Sequence, residues 1–178
     1  MEDTPKRFID AFEKHSDELF RHCALRISDR DRALDLVQDT FLRAWQHLTD
    51  GGEVRQYRAF LYKILNNLIV DEYRKKKIQS LDALLENEET ENAIEGGLLR
   101  DSVDALEEAM IRFDSKRAME ALSELPEHYR SVLVLRYVDG LSPSEIAECI
   151  DDSENTVSVR IHRALHKLRS ILESHEQH

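Results

Sequence analysis

Four consecutive cations, Arg74, Lys75, Lys76 and Lys77, close the stretch NNLIVDEYRKKK in a chain whose formal net charge is −11. Complementarity to a helix dipole accounts for one or two cations at a helix end. Four neighbours repel one another unless an anion neutralises them, and a phosphate backbone is the usual one. Asn66 and Asn67 sit one to two turns before the knot, and Lys63 lies one turn before Asn67. Asparagine amides hydrogen-bond base edges, and Tyr57, Tyr62 and Tyr73 offer rings for stacking. Together these residue types describe a surface that holds a nucleic-acid strand and reads a base.

A second constellation lies toward the C-terminus, in LPEHYRSVLVLRYVDGLSPSEIAECIDDSENTVSVRIHRALHKLR. The pattern predicts a helix from about Glu127 to Val138 that ends at Gly140, and a short helix capped by Ser142 that carries Ile146, Ala147 and Ile150. A tight turn at Asp151-Asp152 follows, then a longer helix capped by Ser153 and running from Glu154 to about Leu172. Short helix, tight turn and capped longer helix form a helix-turn-helix, whose second helix enters the major groove. Val157, Ile161, Leu165 and Leu168 make its inner face; Asn155, Ser158, Val159, His162 and Arg163 are the candidate DNA-facing set. Between Ser153 and Arg169 the cations Arg160, Arg163, Lys167 and Arg169 oppose a single acid, Glu154.

The third constellation is a ridge suited to a protein partner. In DRALDLVQDTFLRAWQHL, a stripe of Leu34, Val37, Phe41, Trp45 and Leu48 is expected to be buried. A neighbouring face carries Asp35, Gln38, Asp39, Leu42 and Gln46, which leaves one leucine exposed among acids and amides. Nothing in the sequence points to catalysis: no paired carboxylates, nucleophile triad or phosphate loop occurs, so an enzyme is not expected. Eight scattered histidines and two distant cysteines, Cys23 and Cys149, have no ligand spacing, so no metal, cofactor or disulfide is expected.

The elements that must position these residues are helical throughout. Five glycines, three prolines and no strand-like alternation give an all-α fold. Charge divides the chain of 178 residues: residues 1–80 are net +1, residues 81–114 net −9 and residues 115–178 net −3. The middle segment, with Gly96-Gly97 and no sustained apolar period in its first half, reads as an acidic flexible linker, becoming helical after Ser102 at most. The expectation is two small helical domains, 1–80 and 115–178, joined by the tether 81–114. No apolar run is long enough to span a bilayer, and MEDTPKRF lacks a signal-peptide core, so a cytoplasmic protein without membrane insertion is expected.

Two nucleic-acid surfaces on one acidic chain, in the order DLVQDTFLRAW, RAFLYKILNNLIVDEYRKKK, then ALSELPEHYRSVLVLRYVDGLSPSEIAE with TVSVRIHRAL, resemble the bacterial RNA polymerase sigma factors of the small, two-domain, extracytoplasmic-function kind. The resemblance covers residues 8–77 and 115–172. It implies that Asp35, Gln38, Asp39 and Leu42 dock on the clamp coiled coil of core RNA polymerase. By the same resemblance, the loop 49–57 with Asn67 captures a flipped base of the melted downstream (−10) promoter element, while Lys63 and Arg74, Lys75, Lys76 and Lys77 hold phosphates. The helix carrying Asn155, Ser158, Val159, His162 and Arg163 then reads the upstream (−35) element of promoter DNA, and an anti-sigma protein is the implied regulator.

Three positions depart from the family pattern. Asp151 and Asp152 stand where a small and an aliphatic residue are usual, Ser158 stands where Lys or Arg is common, and Phe60 replaces a frequent tryptophan. The first two point to a weaker or altered grip on the upstream element. Two other classes fit part of the sequence: a sigma-mimicking adaptor that binds only an anti-sigma protein, and a conventional helix-turn-helix transcription regulator. The second leaves the Asn66 to Lys77 surface and the acidic ridge without a task.

Overall fold

The computed structural model describes residues 3–79 and 115–176. The acidic segment 81–114, with its expected helix after Ser102, lies outside the described residues. Every regular element among the described residues is a helix, and they form two compact units.

The N-terminal unit is built from α1 (Asp3–Arg26), α2 (Arg30–Thr49) and α3 (Tyr57–Gln79). Asp29 starts α2, its carboxylate accepting from the Arg32 amide at 3.0 Å, which satisfies one of the donors a helix start leaves open. At the other end Gly51 takes a φ of 90° and the Gly52 amide donates to the His47 carbonyl at 2.9 Å, the left-handed stop that glycine permits. A Cβ on Gly52 would come within 2.2 Å of the His47 ring, which leans on Phe60. The bend into α3 is therefore marked by the His47 ring lying over Gly52 as well as by turn geometry.

All three helices pack on one another around Leu19, Leu36, Leu61, Leu65 and Ile69. The buried face of α2 is Ala33, Leu36, Val37, Thr40, Phe41 and Ala44. Leu34 and Trp45, expected inside, are 41% and 38% exposed. This buried set centres on Val37, Thr40 and Ala44, which leaves Leu34 and Trp45 at its edge. Trp45 instead leans on Phe8, and Phe41 meets Phe8 and Phe12 edge-on.

The C-terminal unit contains α4 (Ser115–Glu124), α5 (Glu127–Leu133) with a π turn over Val134–Val138, α6 (Pro143–Ile150) and α7 (Glu154–Glu176). The Arg130 guanidinium donates to the carbonyls of Leu122, Ser123 and Leu125, closing the end of α4 from the following helix. Gly140, at φ 70°, turns the chain out of the π turn, and the Leu141 amide returns to the Leu135 carbonyl at 3.0 Å. The long helix α7 lies against α4 and α5, burying Val157, Ile161, Ala164, Leu165 and Leu168 as its sequence period requires.

Candidate nucleic-acid and polymerase interface

On α3 the two asparagines point in opposite directions. Asn66 is 4% exposed and its side-chain oxygen accepts from Arg26 Nη1 at 2.9 Å, whereas Asn67 is exposed. The same Arg26 nitrogen lies 3.1 Å from His22 Nε2, and because a guanidinium only donates, that ring nitrogen accepts. Tyr73 donates its hydroxyl to the Arg26 carbonyl, and Tyr62, 1% exposed, sets its ring edge-to-face with His22. Asn66 and Tyr62 are thus corrected from nucleic-acid contacts to members of a buried polar cluster. Arg26, itself 1% exposed, would be costly to bury without these acceptors.

The outward face of α3 carries Lys63, Asn67, Arg74 and Lys77, spaced by four, seven and three residues, which brings them round to one side. Four adjacent helical residues cannot share a face at about 100° per residue, so the cationic knot divides. Arg74, Lys75, Lys76 and Lys77 are all exposed, but Lys75 and Lys76, three and four residues after Glu72, lie on its side of the helix, and the Glu72 carboxylate bonds Arg32 Nη2 at 2.7 Å. That hydrogen bond, aided by the charges of Arg32, Lys76 and Lys75, holds Glu72 below its ordinary range. At the head of the helix Arg58 pairs with Glu18 at 3.2 Å. Burial would raise the Glu18 carboxyl, but hydrogen bonds from Arg58 and His15 outweigh it and keep the group low. These pairs fix α3 to α1 and α2 without using its outward cations.

The α2 ridge is open along its length: Asp35, Gln38, Asp39 and Leu42 are exposed, Leu42 to 66%. With Leu34 and Trp45 also partly exposed, the face is more apolar than its sequence period suggested. An apolar strip rimmed by acids suits a protein partner better than DNA.

In the helix-turn-helix, Ser142 Oγ accepts from the Glu145 amide at 3.3 Å while the Glu145 carboxylate accepts from the Ser142 amide at 2.7 Å, a reciprocal capping box. Ser153 caps α7 through the Thr156 amide at 3.1 Å. Between them Asp151 adopts a φ of 55°, the left-handed geometry that Asp tolerates better than most residues. The Asp152 amide reaches back to Ala147 at 3.0 Å, and its carboxylate accepts from the Ser153 amide at 2.8 Å and from Arg160 Nη2 at 3.0 Å. The departure at 152 is therefore compensated by polar partners. On α7, Asn155 and Ser158 are exposed, and His162 and Arg163 are half-buried. Val159 is a correction: it is 6% exposed, so this β-branched aliphatic side chain is covered, as its water-avoiding surface favours, and does not offer a methyl to base edges. Burial lowers the His162 pKa, with a smaller contribution from His166.

Residues 11–78 match the Sigma-70 region 2 family and residues 115–168 match the Sigma-70, region 4 family. The ECF RNA polymerase sigma factor SigW of Bacillus subtilis is 32% identical over 93% of this chain and 88% of its own length. The chain belongs to the extracytoplasmic-function sigma factors. SigL of Mycobacterium tuberculosis is 29% identical over 91% of this chain and 86% of its own. The fold is that of the sigma factor RpoE from Bartonella quintana, seen in complex with the anti-sigma factor NepR, at a TM-score of 0.67 and 24% identity, covering 94% of this chain and 98% of that one.

Sigma factors bind core RNA polymerase and promoter DNA, and both family regions fall on the two units described above. Among the described residues no helix is long and apolar enough to cross a membrane, and no group of three or more His, Cys, Asp or Glu could hold a metal ion. Sequence patterning missed the Arg26, His22, Asn66 and Tyr73 cluster in this sigma factor. The signal that could have found it was a second asparagine on the face where α3 must meet α1.

Proposed function

We propose that this sigma factor recruits core RNA polymerase through Asp35, Gln38, Asp39 and Leu42 on α2 and directs it to promoters with two separate DNA surfaces. On α3, Asn67 takes a base of the melted downstream element while Lys63, Arg74 and Lys77 hold adjoining phosphates, with Lys75 and Lys76 more peripheral. On α7, Asn155, Ser158, His162 and Arg163 face the upstream element. Because serine cannot make the bidentate guanine contact that arginine makes, upstream readout leans on Arg163, on phosphate contacts and on DNA shape. The role is binding and positioning in the cytoplasm, and RNA synthesis is left to the polymerase. Control by an anti-sigma protein is part of this reading, supported by the RpoE relative's complex with NepR.

The observation that carries the proposal is the division of α3: one asparagine turned into a polar core and the next exposed in line with three cations. Reconstitution with bacterial core polymerase and a promoter library tests it. Transcripts starting at defined sites, dependent on this protein and on both elements, are expected. Tight binding to core with no promoter-dependent transcript would favour the anti-sigma-binding adaptor.

A further inference from the structure

Asp152 occupies the position just before the α7 cap, where an apolar side chain usually packs against the first turns of the helix that follows. Here the carboxylate works instead. One oxygen accepts from the Ser153 amide at 2.8 Å and the other from Arg160 Nη2 at 3.0 Å, two turns into α7. Both partners are partly covered, with 30% of the Asp152 side chain and 17% of the Arg160 side chain exposed. The residue before it, Asp151, is exposed and left-handed at φ 55°, so neither residue of the turn offers an apolar side chain to set the angle between α6 and α7.

We propose that the Asp152–Arg160 pair is a polar latch that orients α7, making Arg160 a positioning residue for upstream recognition and not a DNA contact. The inference rests on the proposed reading of α7 as the upstream-element helix. At about 100° per residue Arg160 lies on the flank of α7, between the core residues Val157 and Ala164 and the outward Arg163. Its guanidinium is held by Asp152 at the N-terminal end of the helix, and Ser158 stands on the opposite side of α7. Of the four cations that give this helix its basic character, one is therefore committed to the turn. An acid beside a DNA-binding helix ordinarily repels phosphate, but this one would promote binding by fixing geometry, and that reverses the sign of the expected mutational effect.

Quantitative footprints of holoenzyme on a promoter with an intact downstream element, taken over a salt series, test the latch. Asp152→Asn, Asp152→Val and Arg160→Met should each weaken upstream protection about five-fold, the scale of a partly exposed ion pair. The salt slope should be unchanged because every phosphate stays as well neutralised as in the wild type. Asp152→Val combined with Arg160→Met should restore protection to within about two-fold, an apolar contact replacing the charge pair. If Asp152→Val does not fold, Asp152→Asn decides by sign, since it keeps the oxygen that accepts from Ser153. Tighter upstream binding by either Asp152 variant, a slope lowered by about 0.9 in Arg160→Met, or additive effects in the double variant would overturn the latch alone. Wild-type holoenzyme that protects no upstream DNA would overturn the reading of α7 itself.

Discussion

Replacing Asn66 and Asn67 separately should produce opposite phenotypes, although the two residues are neighbours with the same side chain. In Asn66→Ala, Arg26 loses an acceptor at 2.9 Å while remaining 1% exposed. A buried hydrogen bond to a charged donor contributes about 1.5–3 kcal/mol. For a helical unit of this size each kcal/mol moves the midpoint by roughly 4–8 °C, so a loss near ~2 kcal/mol lowers it by about 8–16 °C. Asn67→Ala removes an exposed side chain and should stay within about 0.5 kcal/mol of wild type. Trp45 is the single tryptophan of the chain and packs against Phe8 within the N-terminal unit, so its fluorescence follows that unit selectively during heating. In transcription assays the pattern should invert: Asn67→Ala shifts discrimination at one base by ~1–3 kcal/mol, while Asn66→Ala, measured well below its midpoint, keeps wild-type selectivity. A Trp45 transition unmoved in Asn66→Ala but lowered in Asn67→Ala would refute the inward and outward assignment on α3.

Charge reversal of Asp39 with Leu42→Ala should weaken core binding at an unchanged Trp45 midpoint, since both residues are exposed; loss of helicity in circular dichroism would instead make the ridge part of the core. Neutralising Arg74 and Lys77 to Gln should lower the salt slope of open-complex formation by about 0.7–0.9 for each phosphate left without its cation. The same change at Lys75 and Lys76 should have a smaller effect, and equal slopes for the two pairs would contradict the division of the knot. Glu72 and Glu18 sit below their ordinary value of 4.5. The stability they add is therefore present above that pH and is lost as pH falls through their lower folded values. An acid titration of the Trp45 transition should show this loss, reduced in Glu72→Gln; a variant as acid-sensitive as wild type would remove the Arg32–Glu72 pair from the account.

The helical class, the caps at Ser142 and Ser153 and the inner stripe of α7 were legible because each depends on local rules: period, cap chemistry and turn residues. The open ridge on α2 was legible for the same reason, since acids and amides at that spacing do not enter a core. Leu34 and Trp45 were misplaced because hydrophobicity alone does not say which apolar residues a close helix contact selects. The buried face runs instead through Ala33, Thr40 and Ala44, which a stripe of large apolar residues does not pick out. Asn66 could not be separated from Asn67 by residue type; only its register relative to the C-terminal end of α1 turns it inward. Val159 shows the converse limit, an apolar residue at a nominally outward register that is nevertheless covered. The turn aspartates were recognised as a departure, but the partner of Asp152 lies eight residues on and is a cation that composition had counted toward DNA.

Arg130 reaches three carbonyls spread across the end of α4 and the bend after it. Seen as a matter of dissection, this sets the smallest fragment that can be cut from the C-terminal unit. A peptide beginning at α5 would retain the whole helix-turn-helix yet present a guanidinium fork with its acceptors gone, and would also uncover the side of α7 on which α4 lies. Nor would lysine substitute, because a single ammonium on a flexible stem lacks the planar fork that spans three oxygens. The recognition helix is therefore transferable to another protein only with α4 attached, so the unit of exchange in a chimaera is the four-helix block and not the helix-turn-helix.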